Sequence, residues 1–125
     1  EIEIEVVPGV CSPLAAVALL GLPLTCQAER LAILPALYHV RDLAQTLAWA
    51  EVVVLLKVSR VYSQVWTFLQ QEQLLESSVV VEWVGHPHQR IYAPLTLHPQ
   101  LELSYFSLLM IWKQPDRMTG ILGLA

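Results

Sequence analysis

Few residues in this chain have types and spacing suited to chemistry. Lys57, Ser59 and Arg60 directly follow an unbroken aliphatic run at 52–56. In α/β sheets ligands collect at the carboxyl ends of strands, which makes 56–60 a candidate ligand loop. Tyr105-Phe106-Ser107 enters another apolar run and is a further candidate, although aromatics at a strand start are more often core. His86 and His88 bracket Pro87. Two imidazoles at that spacing can ligate a metal from a loop, but a site normally needs three or four ligands and none lies nearby in sequence. A solvated turn, with no metal, is therefore the expectation there. Glu1, Glu3 and Glu5 alternate with Ile2, Ile4 and Val6, the pattern of a solvated face on an edge strand rather than of an acid–base pair. Cys11 and Cys26 are too far apart for a redox Cys-x-x-Cys or a metal knuckle. No Gly-x-Ser-x-Gly elbow, Walker loop or Gly-x-Gly-x-x-Gly fingerprint is present, and the five glycines are well separated. No catalytic constellation can be assembled from these residues.

The elements that must position these groups can be read from periodicity. An alternating strand pattern at 1–6 runs into Val-Val-Pro-Gly-Val-Cys-Ser at 6–12. Ser12 is a suitable N-cap and Pro13 falls where a missing N–H costs nothing, so a strand, a tight turn and a helix N-terminus are predicted in succession. That helix, over 13–20, ends at Gly21 and Pro23. Strands are predicted at 30–34, 52–56, 78–84, 91–93 and 105–112, and helices at 42–50 and 62–75. The five aliphatics at 52–56 suit a central strand covered on both faces. Strands alternating with helices indicate an α/β domain, and the short segment at 91–93 between two longer strands predicts a partly antiparallel sheet. The expected fold is therefore α/β, with a mixed sheet of about five strands and flanking helices. The tail from Lys113 has no clear period.

The bulk properties exclude several function classes. The 125 residues are 55% hydrophobic and 14% charged, against typical values of roughly 45–50% and about 25%. The longest apolar run, 13–24, is punctuated by Gly21 and Pro23 and falls short of the about 20 apolar residues a membrane helix needs. The chain opens on glutamates instead of a basic region, so neither a membrane span nor a secretory signal is expected. A buried sheet with some surface left for another domain or subunit accounts for the apolar excess. Net charge is −4 and the seven basic residues are scattered singly, which gives a nucleic-acid role no support. A cytoplasmic protein with free thiols is expected.

Taken together, the candidate loops resemble something specific. Val-Val-Pro-Gly-Val-Cys-Ser, followed by Leu-Gly-Leu-Pro-Leu at 20–24, resembles the hinge between the two domains of the tetrapyrrole (corrin/porphyrin) methylase family. Val-Val-Leu-Leu-Lys-Val-Ser-Arg at 53–60, Gln89-Arg90 and Tyr-Phe-Ser-Leu-Leu at 105–109 are most similar to the branch that methylates precorrin-2 at C(20) in cobalamin synthesis. The resemblance covers about residues 1–112. It implies the C-terminal domain of the methylase fold at 13–112, the end of a preceding domain's strand and the inter-domain hinge at 1–12, and a peripheral tail at 113–125.

The resemblance also implies a ligand and partners. The family binds S-adenosylmethionine between its two domains, so the chain would supply one wall and an N-terminal methylase domain the other. By position, Cys11 and Ser12 match hinge residues at the cofactor. Cys11 stands where relatives carry a hydroxyl, which shifts the expected contact towards backbone N–H groups. Leu56 matches a position packing on the adenosyl part, and Ser104 with Tyr105 matches a pair at the adenine side. Lys57 and Arg60 would hold acidic side chains of the tetrapyrrole substrate. A homodimer is implied as well. The rival expectations are a methylase acting on another corrinoid or a cobalt-containing substrate, and an interaction module that kept the fold without the chemistry.

Overall fold

A computed structural model describes residues 1–118. It contains three helices, α1 (Ser12–Leu20), α2 (Val40–Leu47) and α3 (Tyr62–Gln71), and five strands, β1 (Leu31–Leu34), β2 (Val52–Leu56), β3 (Ser78–Glu82), β4 (Arg90–Tyr92) and β5 (Ser107–Trp112). The strands form one sheet in the order β1-β2-β5-β3-β4. Only β1 and β2 are parallel, joined by the crossover through α2. β5 lies between β2 and β3 and runs antiparallel to both, and β4 pairs antiparallel with β3. The sheet is mixed, as expected.

Both faces of the sheet are covered, which explains the unbroken apolar strands. Side chains alternate along a strand, so Leu109 and Ile111 of β5 point to one face and Leu108, Met110 and Trp112 to the other. The first set packs with Val53, Leu55 and Val80 against Leu43 and Leu47 of α2 and Val65 and Leu69 of α3. The second packs with Val52, Val54, Val79 and Val81 against Ala16, Val17 and Leu20 of α1. The Trp112 indole N–H is donated to the Leu24 carbonyl at 3.1 Å, tying the segment after α1 to the sheet. Gly21 ends α1 in the left-handed region at φ 69, where the Leu22 N–H reaches back to the Val17 carbonyl.

Several expectations are corrected. Residues 1–6 join no ladder, and Ile2, Ile4 and Val6 are each more than 80% exposed. They pair with no strand of this sheet; the partner expected for them is a preceding domain. Helix α1 begins one residue early, with Cys11 rather than Ser12 at the cap position and no side-chain capping bond. Helix α3 stops at Gln71, and a separate 3-10 turn, Leu75–Ser77, precedes β3. Strand β3 ends at Glu82 rather than 84, because Trp83 turns into the left-handed region at φ 56. Strand β5 begins at Ser107, and Tyr105 and Phe106 are not core: they are 61% and 58% exposed. The tail enters a 3-10 turn, Pro115–Met118, and Arg117 forms a largely buried ion pair with Glu29 at 2.7 Å. The rest of the tail, 119–125, lies outside the described residues.

Candidate ligand cleft at the strand ends

Two strands that run the same way end side by side with β5 starting between them. β2 stops at Leu56 and β3 at Glu82, and these residues pair with Leu108 and Ser107 at the entry to β5. The next residue on each outer strand, Lys57 or Trp83, takes a left-handed backbone, at φ 55 and φ 56. An L side chain in that region costs about 1–2 kcal/mol. The matched pair bends both chains sharply off the sheet and turns both side chains into the space between them. Lys57 then leads into a 3-10 turn, Val58–Arg60, and on to α3. Trp83 leads into a compact turn closed by His86 N–H to the Trp83 carbonyl at 2.9 Å and by Gly85 N–H to the Gln89 side chain at 2.8 Å.

A cavity of about 470 Å³ opens between these turns, lined by Ser12, Leu56, Lys57, Trp83, His86, Tyr105, Phe106 and neighbouring residues. Its wall is a continuous run of rings. The Lys57 ammonium lies 5.8 Å from the Tyr105 ring centre, and Tyr105 meets Phe106 edge-on at 5.4 Å. Phe106 lies 4.6 Å from Trp83, Trp83 lies 5.0 Å from His86, and His86 lies 5.1 Å from His88. His86 Nδ1 accepts the His88 N–H at 3.1 Å, which places the proton of the neutral ring on Nε2 and makes that atom a donor. A second cavity of about 430 Å³ lies on the other side of the Lys57–Tyr105 pair, lined by Tyr38, Lys57, Ser59, Arg60 and Tyr105 among others. The first compartment is lined largely by rings, the second carries Lys57 and Arg60 among mostly apolar neighbours, and both share the Lys57–Tyr105 pair.

The structure brings together most of the residues singled out from sequence. Ser12, Leu56, Lys57 and Tyr105 line the first cavity, and Lys57, Arg60 and Tyr105 line the second. Cys11 is an exposed free thiol beside Ser12 and lines neither cavity. Ser104 sits behind the wall: its N–H is donated to Glu82 Oε2 at 2.6 Å and its carbonyl accepts the Ser107 hydroxyl at 2.9 Å. Its own hydroxyl oxygen is buried without a partner. Sequence reasoning missed Trp83 as a lining residue and Glu82 behind it, expected His86 in a solvated turn, and named the 105–107 stretch as a candidate while favouring core for its aromatics. A left-handed backbone at tryptophan leaves no mark in a sequence, and the His-Pro-His stretch reads equally well as a solvated turn. Among the described residues no three His, Cys, Asp or Glu side chains come together as a metal site, and no helix is long and apolar enough to cross a membrane.

The arrangement can bind and orient a flat, partly anionic ligand. It stacks rings, offers the Ser12 hydroxyl and the His86 Nε2–H as donors, and places two cations at one side.

The cleft can be set beside known proteins. Residues 1–97 match the sequence model of the family described as Tetrapyrrole (Corrin/Porphyrin) Methylases. Cobalamin biosynthesis protein CobIJ of Mycobacterium tuberculosis is 34% identical over 106 residues, which cover 85% of this chain and 21% of that protein. Cobalt-precorrin-2 C(20)-methyltransferase of Salmonella typhimurium is 29% identical over 112 residues, covering 89% of this chain and 47% of the relative. The chain thus spans less than half the length of either. Among solved structures, uroporphyrin-III C-methyltransferase from Thermus thermophilus, complexed with S-adenyl homocysteine, superposes with a TM-score of 0.56 at 22% identity, over 87% of this chain and 52% of that one. Cobalt precorrin-4 methyltransferase, CbiF, does so with a TM-score of 0.59 at 20% identity, over 89% and 52%. At these identities the two structures attest the fold.

Proposed function

Because the chain belongs to the tetrapyrrole (corrin/porphyrin) methylase family, we propose that it forms one wall of the cofactor and substrate cleft of an S-adenosylmethionine-dependent methyltransferase of cobalamin synthesis, acting on precorrin-2 at C(20). The observation that carries this reading is the paired cavity at the strand ends, lined by rings on one side and carrying Lys57 and Arg60 on the other. The residues fit the cofactor: the aromatic cavity offers apolar and ring surface for an adenosyl group, with Ser12 and the α1 N-terminal backbone at its rim. When bound, S-adenosylmethionine supplies an electrophilic methyl group to a tetrapyrrole carbon.

The chain's own contribution in this reading is proximity and alignment. Leu56 and Tyr105 pack the adenosyl part, with Ser104 behind Tyr105. Ser12 and the backbone beside Cys11 hold the hinge side. Lys57 and Arg60, at the partition and in the second cavity, hold acidic side chains of the tetrapyrrole. No side-chain nucleophile is required in this reading. Residues 1–12 are read as the end of a neighbouring domain's strand and the hinge, supported by the alternate apolar side chains that stand exposed there. The N-terminal methylase domain would supply the second wall, and the active unit would be a homodimer.

The test joins this chain behind the N-terminal domain of the Salmonella relative and titrates S-adenosylhomocysteine by calorimetry into the chain alone and into the joined protein. Uptake only by the joined protein supports a half-site. Uptake by neither identifies a non-catalytic module with the same fold. Product analysis by NMR after incubation with precorrin-2 or its cobalt complex then reads the methylated carbon; methylation at a position other than C(20) assigns the chain to another branch of the family.

A further inference from the structure

Glu82, the last residue of β3, is a carboxylate only 7% exposed, directly behind the aromatic wall. Among the described residues it forms no ion pair within 4.0 Å, not even with Arg90, its register partner on β4. Its oxygens are met instead by the Ser104 N–H at 2.6 Å and the Tyr92 hydroxyl at 3.4 Å. Burying a carboxylate without a cation is costly, and an apolar side chain of similar size would suit a strand end between two cores better. What the carboxylate does that leucine cannot is hold backbone. Residues 101–106 belong to no helix or strand. Three bonds fix their last part: Ser104 N–H to Glu82, the Ser107 hydroxyl to the Ser104 carbonyl at 2.9 Å, and Trp83 N–H to the Phe106 carbonyl at 2.9 Å. The first is short and charge-assisted, the stronger class of such bonds. The two residues between the outer anchors, Tyr105 and Phe106, turn their rings into the cleft.

We propose that Glu82 is a positioning residue: its buried carboxylate clamps the Ser104 N–H so that Tyr105 and Phe106 stand fixed as the wall of the ligand cleft. The structural part stands alone; its consequence for cofactor affinity rests on the function proposed above. The test compares Glu82→Leu and Glu82→Gln with the unmodified chain by residue-resolved amide exchange. In Glu82→Leu, Val80 and Leu109 keep their protection while the Ser104 amide exchanges about tenfold faster or more. Glu82→Gln keeps an acceptor oxygen in the same place and restores most of the protection. Unchanged exchange at Ser104, or an equal loss across β3 and β5, overturns the proposal; the second result would mark Glu82 as a residue of the core. Should the leucine variant not fold, a through-hydrogen-bond scalar coupling between the Ser104 nitrogen and the Glu82 carboxyl carbon of the unmodified chain decides, and its absence refutes the clamp. In the joined protein, S-adenosylhomocysteine affinity falls about tenfold in Glu82→Leu and recovers in Glu82→Gln, as expected when a binding wall is mispositioned. If the unmodified protein takes up no S-adenosylhomocysteine, the cofactor reading fails, while the exchange result still judges the clamp.

Discussion

The left-handed turn at Lys57 is the most testable feature of the cleft, because alanine and glycine should reverse their usual order there. Lys57 sits at φ 55 and ψ 43. Lys57→Ala and Lys57→Gly both remove the ammonium and its contact with the Tyr105 ring, so their difference isolates the backbone. In ordinary helical or extended backbone alanine is favoured over glycine by about 0.5–1 kcal/mol. In the left-handed region an L side chain costs about 1–2 kcal/mol that glycine escapes. Subtracting the first from the second leaves the glycine variant more stable by roughly 0.75 kcal/mol at the midpoints, within a span of about 0–1.5 kcal/mol. For a chain of this length that corresponds to about 2–4 °C in melting temperature. Urea unfolding followed by tryptophan fluorescence, with the slopes of the two variants compared, measures the difference directly. Loss of the exposed ammonium–ring contact lowers both by about 0.5–1 kcal/mol, which leaves the glycine variant near the parent and the alanine variant below it. If alanine proves the more stable, as in ordinary backbone, the backbone at 57 is not left-handed. The turn would then not place Lys57 on the partition between the two cavities.

Other perturbations probe the support behind the cleft. Leu109→Ala removes a fully buried side chain from the central strand, facing α2 and α3, and should cost about 2–5 kcal/mol in urea unfolding. Tyr62→Phe deletes a hydroxyl donated to the His98 carbonyl at 2.7 Å and should cost about 0.5–1.5 kcal/mol. Burial pushes the Tyr62 phenol above its ordinary value, so its contribution is full below the unfolded-state value and is lost as pH rises; the phenylalanine variant should melt with a weaker alkaline decline. The Arg30 side chain and N–H hold the Glu51 carboxyl down to about 2 from an ordinary 4.5. That lowered value stabilises the fold above the unfolded-state value, and the stabilisation is lost as pH falls from about 4.5 towards about 2. Arg30→Met should therefore flatten the acid limb of a urea-midpoint profile, and an unchanged limb would show that the pair contributes nothing.

Much of the fold was legible because its signals are local. The aliphatic run at 52–56 and the glycine after residue 20 mark their elements without reference to the rest of the chain. The helix at 62–71 announces itself by spacing: Val65 and Leu69, four residues apart, are both buried. The errors came where neighbours decide. Tyr105 and Phe106 have the composition of a strand start, but the ladder opens only at Ser107, where β5 comes level with Glu82.

For the site, sequence alone determined which loops follow which strands, and therefore that 56–60 and the stretch before 107 are candidates. It also contains no Gly-x-Ser-x-Gly elbow, Cys-x-x-Cys pair or glycine-rich phosphate fingerprint, chemistries that need particular residue types at particular spacing. Tertiary structure decided that β5 enters between β2 and β3, since strand order depends on contacts between residues far apart in the chain. It also decided that Trp83 and Lys57 bend into the gap, since only the surrounding packing can hold a non-glycine residue left-handed. Finally, it placed a buried carboxylate behind Tyr105, a relation between residues 82 and 104 that no periodicity encodes.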